Sequence, residues 1–202
     1  MEKTLSSKGV LLDISSMRGF ASQLLGKGKR YEALLRLIIE KDYYNDNDLP
    51  LPSLKELQER LGLKYALVRK HLFEIYDDLL DHQENSIDFS IKSVEYVFGM
   101  WYFDNYVSLV INQLPVMPRV GEQMWIPYFK EKVGTNLFFV DSVHHYFNDT
   151  KQSISISLSP GSYNSFWAIR KDEAYLKGEI SSNEYFTSKD DNAKKKLGYK
   201  RW

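Results

Sequence analysis

Apolar residues recur at steps of three and four between residues 30 and 82, which is the spacing of a helix that buries one face. This pattern predicts three consecutive helices. Their inward residues are Tyr31, Leu34, Leu35, Ile38 and Ile39 in the first, Leu54, Leu57 and Leu61 in the second, and Val68, Leu72, Ile75 and Leu79 in the third.

The ends of the second predicted helix are marked by its sequence. Ser53 is a favourable N-cap, and Glu56 three residues later completes a capping box. Gly62 follows the last apolar residue of the stripe, where a helix commonly ends in a left-handed residue. The helix is therefore expected to begin after Ser53 and to turn at Gly62 into the third helix.

Beyond Glu84 the apolar period changes from about 3.6 to 2, which is the period of strands with one buried face. The first alternating residues are Ile87, Phe89 and Ile91. Further predicted strands span Val94–Tyr102, Tyr106–Asn112, Gln123–Tyr128, Leu137–Phe147 and Ser153–Leu158. Short strands without intervening helices predict a small antiparallel β-barrel or sandwich, so the fold class is α+β.

Four segments result from these patterns. Residues 1–28 are expected to form a flexible leader that ends in the glycine-containing run Gly26-Lys-Gly-Lys-Arg30, and residues 29–84 a helix-turn-helix or winged-helix-type domain. Residues 85–160 are expected to form the antiparallel β domain. Residues 161–202 have weaker periodicity and are expected to form a partly disordered tail with one short helix around Lys171–Leu176.

Charge adds a candidate chemistry to the second and third helices. The 27 basic and 27 acidic residues of the 202-residue chain cancel, which excludes a protein that binds nucleic acid through bulk charge. Between Lys55 and Leu72, however, five basic residues outnumber two acidic ones, a local balance of 5 minus 2, or +3. A helix-turn-helix projects its second helix into the major groove of DNA. We therefore expect a local DNA-binding patch, with a recognition helix at about 64–76.

The candidate DNA-binding residues are Ser53, Lys55, Lys64, Tyr65, Ala66, Arg69 and Lys70. Candidates for contacts to the DNA backbone are Lys27, Lys29 and Arg30. Lysine and arginine neutralise phosphates, and arginine also reaches guanine edges.

The same segment resembles a known family. The run Leu51-Pro52-Ser53 with Glu56-Leu57, then Leu61-Gly62 and Val68-Arg69 with Leu72, resembles the signature of the winged-helix domain of the GntR family of bacterial transcription regulators. The likeness covers about residues 30–80. It implies DNA contacts by Lys55, by Lys64 with Tyr65, and by Arg69. Three positions depart from the family pattern: Gln58 and His71 stand where small residues are usual, and Asp78 replaces the glycine that opens the wing.

Other chemistry finds little support in the sequence. The absence of cysteine excludes disulfides, thiol catalysis and cysteine-based zinc sites. His144 and His145 face opposite sides of a strand, so they do not converge on a metal with Asp141. We therefore expect no metal site, no cofactor and no enzymatic activity. A signal peptide and an apolar run of about 18 residues are also absent, so a cytoplasmic protein that does not contact a membrane is expected.

The leading interpretation is a transcription regulator that binds double-stranded DNA. A homodimer is expected because one head reads few base pairs. The β domain carries many aromatic residues, among them Trp101, Trp125, Phe138 and Phe139, which could fill its core, form a dimer interface or bind a small-molecule or protein effector. The alternative is a protein-interaction adaptor in which the helical unit and the aromatic β domain form a scaffold that does not bind DNA.

Overall fold

The computed structural model describes residues 5–186 and 190–199, and within them the chain is a mixed α+β fold. The elements in chain order are α1 (Ser7–Ser16), α2 (Arg18–Ser22), α3 (Glu32–Ile39), α4 (Leu54–Leu61), α5 (Tyr65–Leu80), β1 (Ser93–Tyr102), β2 (Asn105–Ile111), β3 (Gln123–Trp125), α6 (Lys130–Val133), β4 (Leu137–Asn148), β5 (Lys151–Pro160), α7 (Ser165–Leu176), α8 (Ser182–Phe186) and α9 (Asp190–Lys196).

The described residues divide into two compact units. The first unit comprises those within Met1–Tyr96, Ile111–Gln113 and His145–Ile154, so it holds α1 to α5 and the turn between β4 and β5. The second comprises those within Val97–Val110, Leu114–His144 and Ser155–Trp202.

The three predicted helices are confirmed as α3, α4 and α5, and their inward faces form the core of the first unit. Val68, Leu72 and Ile75 are fully buried, as are Leu35 and Leu57. Each helix thus buries most of the stripe that its sequence period predicts, with Ile39 and Leu61 partly buried at the helix ends, because that face removes the most apolar surface from water.

Most of the described part of the segment predicted as a flexible leader is helical instead, in α1 and α2, while residues 1–4 lie outside the described residues. α1 and α2 bury Val10, Leu11, Ile14 and Phe20 in the same core as α3 to α5, and Leu24, just after α2, is buried there too. The expectation was wrong because it relied on Gly26 and Gly28, which lie at the end of the segment and do not determine the conformation of the residues before them. Val10 and Ile14, four residues apart, are a short helical stripe that becomes stable only when it packs on the later helices.

The alternation at residues 87–91 does not produce a strand. Ile87 is buried in the helical core, and the ring of Phe89 stacks on that of Phe20 with 4.3 Å between ring centroids. Packing against α2 therefore determines the conformation of this segment.

The sheet has five strands in the order β2-β1-β5-β4-β3. β3 pairs with β4 in antiparallel register, with Met124 opposite Phe138. The sheet is open and mixed, so the predicted antiparallel barrel or sandwich is not confirmed. Strand periodicity shows which residues face inward, such as Ile154, Ile156 and Leu158 on β5. It does not determine which strands become neighbours, and here β5 pairs with β1 across a long stretch of sequence.

Much of the segment predicted as a partly disordered tail is also helical. α7, α8 and α9 enclose a small core of their own, formed by Trp167, Ala174, Ile180 and Ala193. The predicted short helix around 171–176 is thus the second half of the longer α7. Residues 187–189 and 200–202 of the expected tail lie outside the described residues.

Candidate nucleic-acid interface

α4 and α5 are joined by the turn that the sequence predicts. The Ser53 hydroxyl accepts a hydrogen bond from the Glu56 N–H (3.2 Å), and the Glu56 carboxylate accepts one from the Ser53 N–H (2.6 Å), so the capping box is complete. The hydrogen bond from the Ser53 backbone is the main reason why the pKa of Glu56 lies below its usual range. Gly62 ends α4 in the left-handed region with φ 65°. Ser53 is therefore engaged in its own helix cap.

The first turns of α5 are exposed. Lys64, Tyr65 and Ala66 lie at the surface, and Tyr65 is 51% exposed. Lys64 is the N-cap residue of α5, but its side chain makes no capping hydrogen bond. The N-terminus of a helix carries a partial positive charge and backbone N–H groups without helical partners, which favours an anion.

Three basic side chains of this region each contact a residue one helical turn further along. Arg69 places its guanidinium 5.1 Å from the ring centroid of Phe73. Lys70 lies 3.6 Å from Glu74, while Lys55 on α4 lies 4.0 Å from Glu59. Pairs of this kind on an exposed surface are weak, so they orient the cations without preventing them from contacting another anion.

The outward face of α5 lines an open groove of about 450 Å³. Its lining residues are Ala66, Arg69, Lys70, Phe73, Glu74 and Asp77. Cations thus occupy the first half of the helix and carboxylates the second half. A phosphate backbone would be attracted to the first half and repelled by the second.

The expected contacts to the DNA backbone fall into two groups. Lys29 lies 2.9 Å from Asp78 and donates to the Asn85 side chain (3.2 Å), and Lys27 donates to the Asn85 carbonyl. Both are therefore engaged within the first unit. Arg30 is exposed.

Asp78 has a structural role on α5. It accepts hydrogen bonds from the Tyr31 hydroxyl and from Lys29. Partial burial alone would raise the pKa of Asp78, but these two bonds outweigh it and lower the pKa. Burial and the bond to Asp78 raise the pKa of Tyr31. Asp78 thus ties α5 to the start of α3.

His71 is 7% exposed and belongs to the inward side of α5. Its Nε2 lies 4.0 Å from the Glu74 carboxylate. An alanine at this position would leave that space unfilled, so the histidine is part of the packing of the helix.

One contact that fixes α2 could not be predicted from the sequence. Asp149, at the turn between β4 and β5, accepts hydrogen bonds from the backbone N–H groups of Gly19 (2.7 Å) and Phe20 (3.2 Å). A Cβ at position 19 would lie 2.6 Å from the Asp149 carboxylate, so a larger residue there would displace this side chain and disturb its hydrogen bonds. Asn148-Asp149 is recognisable as a turn, but its partner lies 130 residues away.

The β strands carry both buried and exposed aromatic residues. Phe98 and Phe138 are buried, whereas Trp125 is 69% exposed.

Over the described ranges, no three histidine, aspartate or glutamate side chains come together as metal ligands. No helix within residues 5–186 and 190–199 is long and apolar enough to cross a membrane.

Comparison of the chain with protein-family models, with curated protein sequences and with solved structures found no match.

Proposed function

We propose that this protein is a transcription regulator that binds double-stranded DNA by inserting the first half of α5 into the major groove. The observation that carries the proposal is the joint exposure of Lys64, Tyr65, Ala66, Arg69 and Lys70 on the helix that follows a capped α4 and a left-handed glycine turn. A steep turn between two helices is the geometry by which a helix-turn-helix presents its second helix.

Different residues supply the two parts of recognition. Lys64 and the N-terminal N–H groups of α5 suit a phosphate, as does Lys55 on α4. Arg69 suits a guanine edge, and Phe73 holds its guanidinium on the outward side of the helix. The chain as a whole carries no net charge, so binding depends on this patch.

The proposed regulator also has a family relationship and an oligomeric state. The likeness to the GntR family makes the protein a divergent winged-helix-type regulator that acts in the cytoplasm of a bacterium. Such a regulator binds as a homodimer, because two heads double the contact surface. An effector, either a small molecule or a protein, binds to the β-rich segment of residues 85–160 and changes the affinity for DNA.

Fluorescence anisotropy with a random-sequence duplex tests the proposal. Wild-type binding is expected to fall as salt rises. Lys64→Ala/Arg69→Ala should weaken binding and reduce the magnitude of the slope of log K against log salt by about 1, because Lys64 is the residue of the pair that contacts a phosphate. Lys130→Ala/Lys132→Ala removes the same charge from exposed positions on α6 and should bind as the wild type does. Equal losses in both variants would refute a specific role for α5.

A second candidate function is favoured by one observation. The exposed face of α5 mixes cations with the carboxylates of Glu74 and Asp77, and Leu67 is 38% exposed beside Tyr65. Such a surface also suits a protein partner. In this alternative the protein is an adaptor, and the wild type does not bind the duplex even at low salt.

A further inference from the structure

Helix α7 presents an apolar stripe to solvent. Phe166, Ile169 and Leu176 are 86%, 68% and 84% exposed. On the opposite side of the same helix Trp167 and Ala174 are buried in the small core of α7 to α9. α7 thus has two apolar faces. One is buried against α8 and α9, and the other is exposed to water.

The spacing of the exposed stripe is that of a coiled-coil seam. Phe166, Ile169, Glu173 and Leu176 follow one another at steps of three, four and three residues, which are the a and d positions of two successive heptads. Asn164 caps the N-terminus of the helix, because its side chain accepts a hydrogen bond from the Trp167 N–H (3.0 Å). A straight helix of this length presents all four side chains on one side.

Glu173 is the one charged residue on the seam. Within its own chain it pairs with Lys177, and it lies 3.8 Å from Arg170. Hydrogen bonding to Lys177 lowers the pKa of Glu173. Arg170 on α7 and Lys177 at its C-cap therefore offset its charge, and its carboxylate can lie at the edge of an apolar contact.

The charges beside the seam select the direction of pairing. Asp172 precedes the second a position, while Arg170 and Lys177 follow the two d positions. In a parallel pair, Asp172 of each copy faces Lys177 of the other, so opposite charges meet twice. In an antiparallel pair, the flank with Arg170 and Lys177 faces itself, so like charges meet. Within the chain Asp172 accepts a hydrogen bond from the Tyr185 hydroxyl and Arg170 pairs with Glu179. The parallel arrangement therefore adds opposite-charge contacts, whereas the antiparallel arrangement adds none.

We propose that α7 is a homodimer interface, in which the seam of Phe166, Ile169, Glu173 and Leu176 pairs in parallel with the same seam of a second copy. This inference identifies the surface of the dimer proposed above but does not require that the protein bind DNA. Two heptads form a short interface, so association depends on concentration.

Sedimentation analysis without DNA tests the interface, at concentrations from about 1 µM to about 1 mM. The wild-type mass should rise with concentration from 23.7 kDa towards about twice that value. Ile169→Lys should remain monomeric throughout. Leu80→Lys, a matched change at a helical leucine that is 59% exposed, should associate as the wild type does. A wild type that stays monomeric, or an Ile169→Lys variant that still dimerises, would overturn the inference.

The direction of pairing can be tested separately because the chain has no cysteine. Residues at a d position face their own copies across the axis of a parallel pair, so Ile169→Cys and Leu176→Cys should each form a disulfide-linked dimer under mild oxidation. Leu80→Cys measures cross-linking by random collision. Cross-linking no faster than that of Leu80→Cys would contradict the parallel seam. DNA titrations of the same variants keep this outcome separate from that of the proposed function.

Discussion

Replacement of Gly62 by alanine isolates the backbone requirement of the turn between α4 and α5. Gly62 has φ 65°, a conformation that side chains with a Cβ adopt only at a cost. A Cβ at this position would meet no atom within 4 Å, so alanine introduces no steric clash. The whole effect of the substitution is therefore conformational.

The magnitude follows from two opposing terms. The left-handed conformation costs an alanine about 1 to 2 kcal/mol. Alanine also reduces the conformational freedom of the unfolded chain, which raises the free energy of unfolding by about 0.4 to 1 kcal/mol. Gly62→Ala should thus lower the free energy of unfolding by about 1 kcal/mol. Gly62→Asn should lower it less, because asparagine tolerates this region better.

Urea unfolding followed by far-UV circular dichroism measures the effect. With a denaturant slope of about 1 to 3 kcal/mol per molar, a loss of about 1 kcal/mol moves the midpoint down by about 0.3 to 1 M. Gly62→Ala that is as stable as the wild type, or Gly62→Asn that is less stable than Gly62→Ala, would refute a left-handed turn at this position.

Two further predictions concern the contacts that hold the first unit together. Asp149 has φ 52°, which glycine also adopts, so Asp149→Gly keeps the backbone and removes only the acceptor of the Gly19 and Phe20 N–H groups. The free energy of unfolding measured in urea should fall by about 1 to 2 kcal/mol. Asp149→Asn should lower it less. The pKa of Asp78 is lowered in the folded state, so its contribution to stability should be present above the ordinary value of 3.8 and be lost as pH falls below it. An NMR titration of Asp78 with a midpoint at or above 3.8 would contradict the bonds from Tyr31 and Lys29.

The sequence predicted the parts of the fold that depend on local pattern. The capping box of Ser53 and Glu56, the turn at Gly62 and the buried stripe of α5 all follow from residues within a few positions of one another. The five strands were also located to within a few residues, because alternation is likewise local.

Long-range packing accounts for what the sequence did not predict. α1 is stable because Val10 and Ile14 pack on later helices, and α2 is held by Asp149 from a distant turn. The order of strands in the sheet and the small core around Trp167 have the same origin. In each case the stabilising partner lies far along the chain, where periodicity carries no information about pairing.

In the candidate site, too, local features could be predicted from the sequence and long-range contacts could not. The exposure of Lys64 and Arg69 follows from helical geometry, which the sequence supplies. The engagement of Lys29 by Asp78 does not, because it depends on how α3 and α5 pack. The position of Arg69 over Phe73 was also not foreseen, although the two residues are one turn apart.

Cross-linking from a single cysteine tests the central claim most directly, since the chain has no other thiol. Ala66 is exposed on the outward side of α5, whereas Leu12 is 41% exposed on α1, which packs on the inward side of α5. A photoreactive group on Ala66→Cys should cross-link to a bound duplex, and the same group on Leu12→Cys should not. DNA that binds but cross-links equally from both positions, or from Leu12→Cys alone, would contradict recognition by α5.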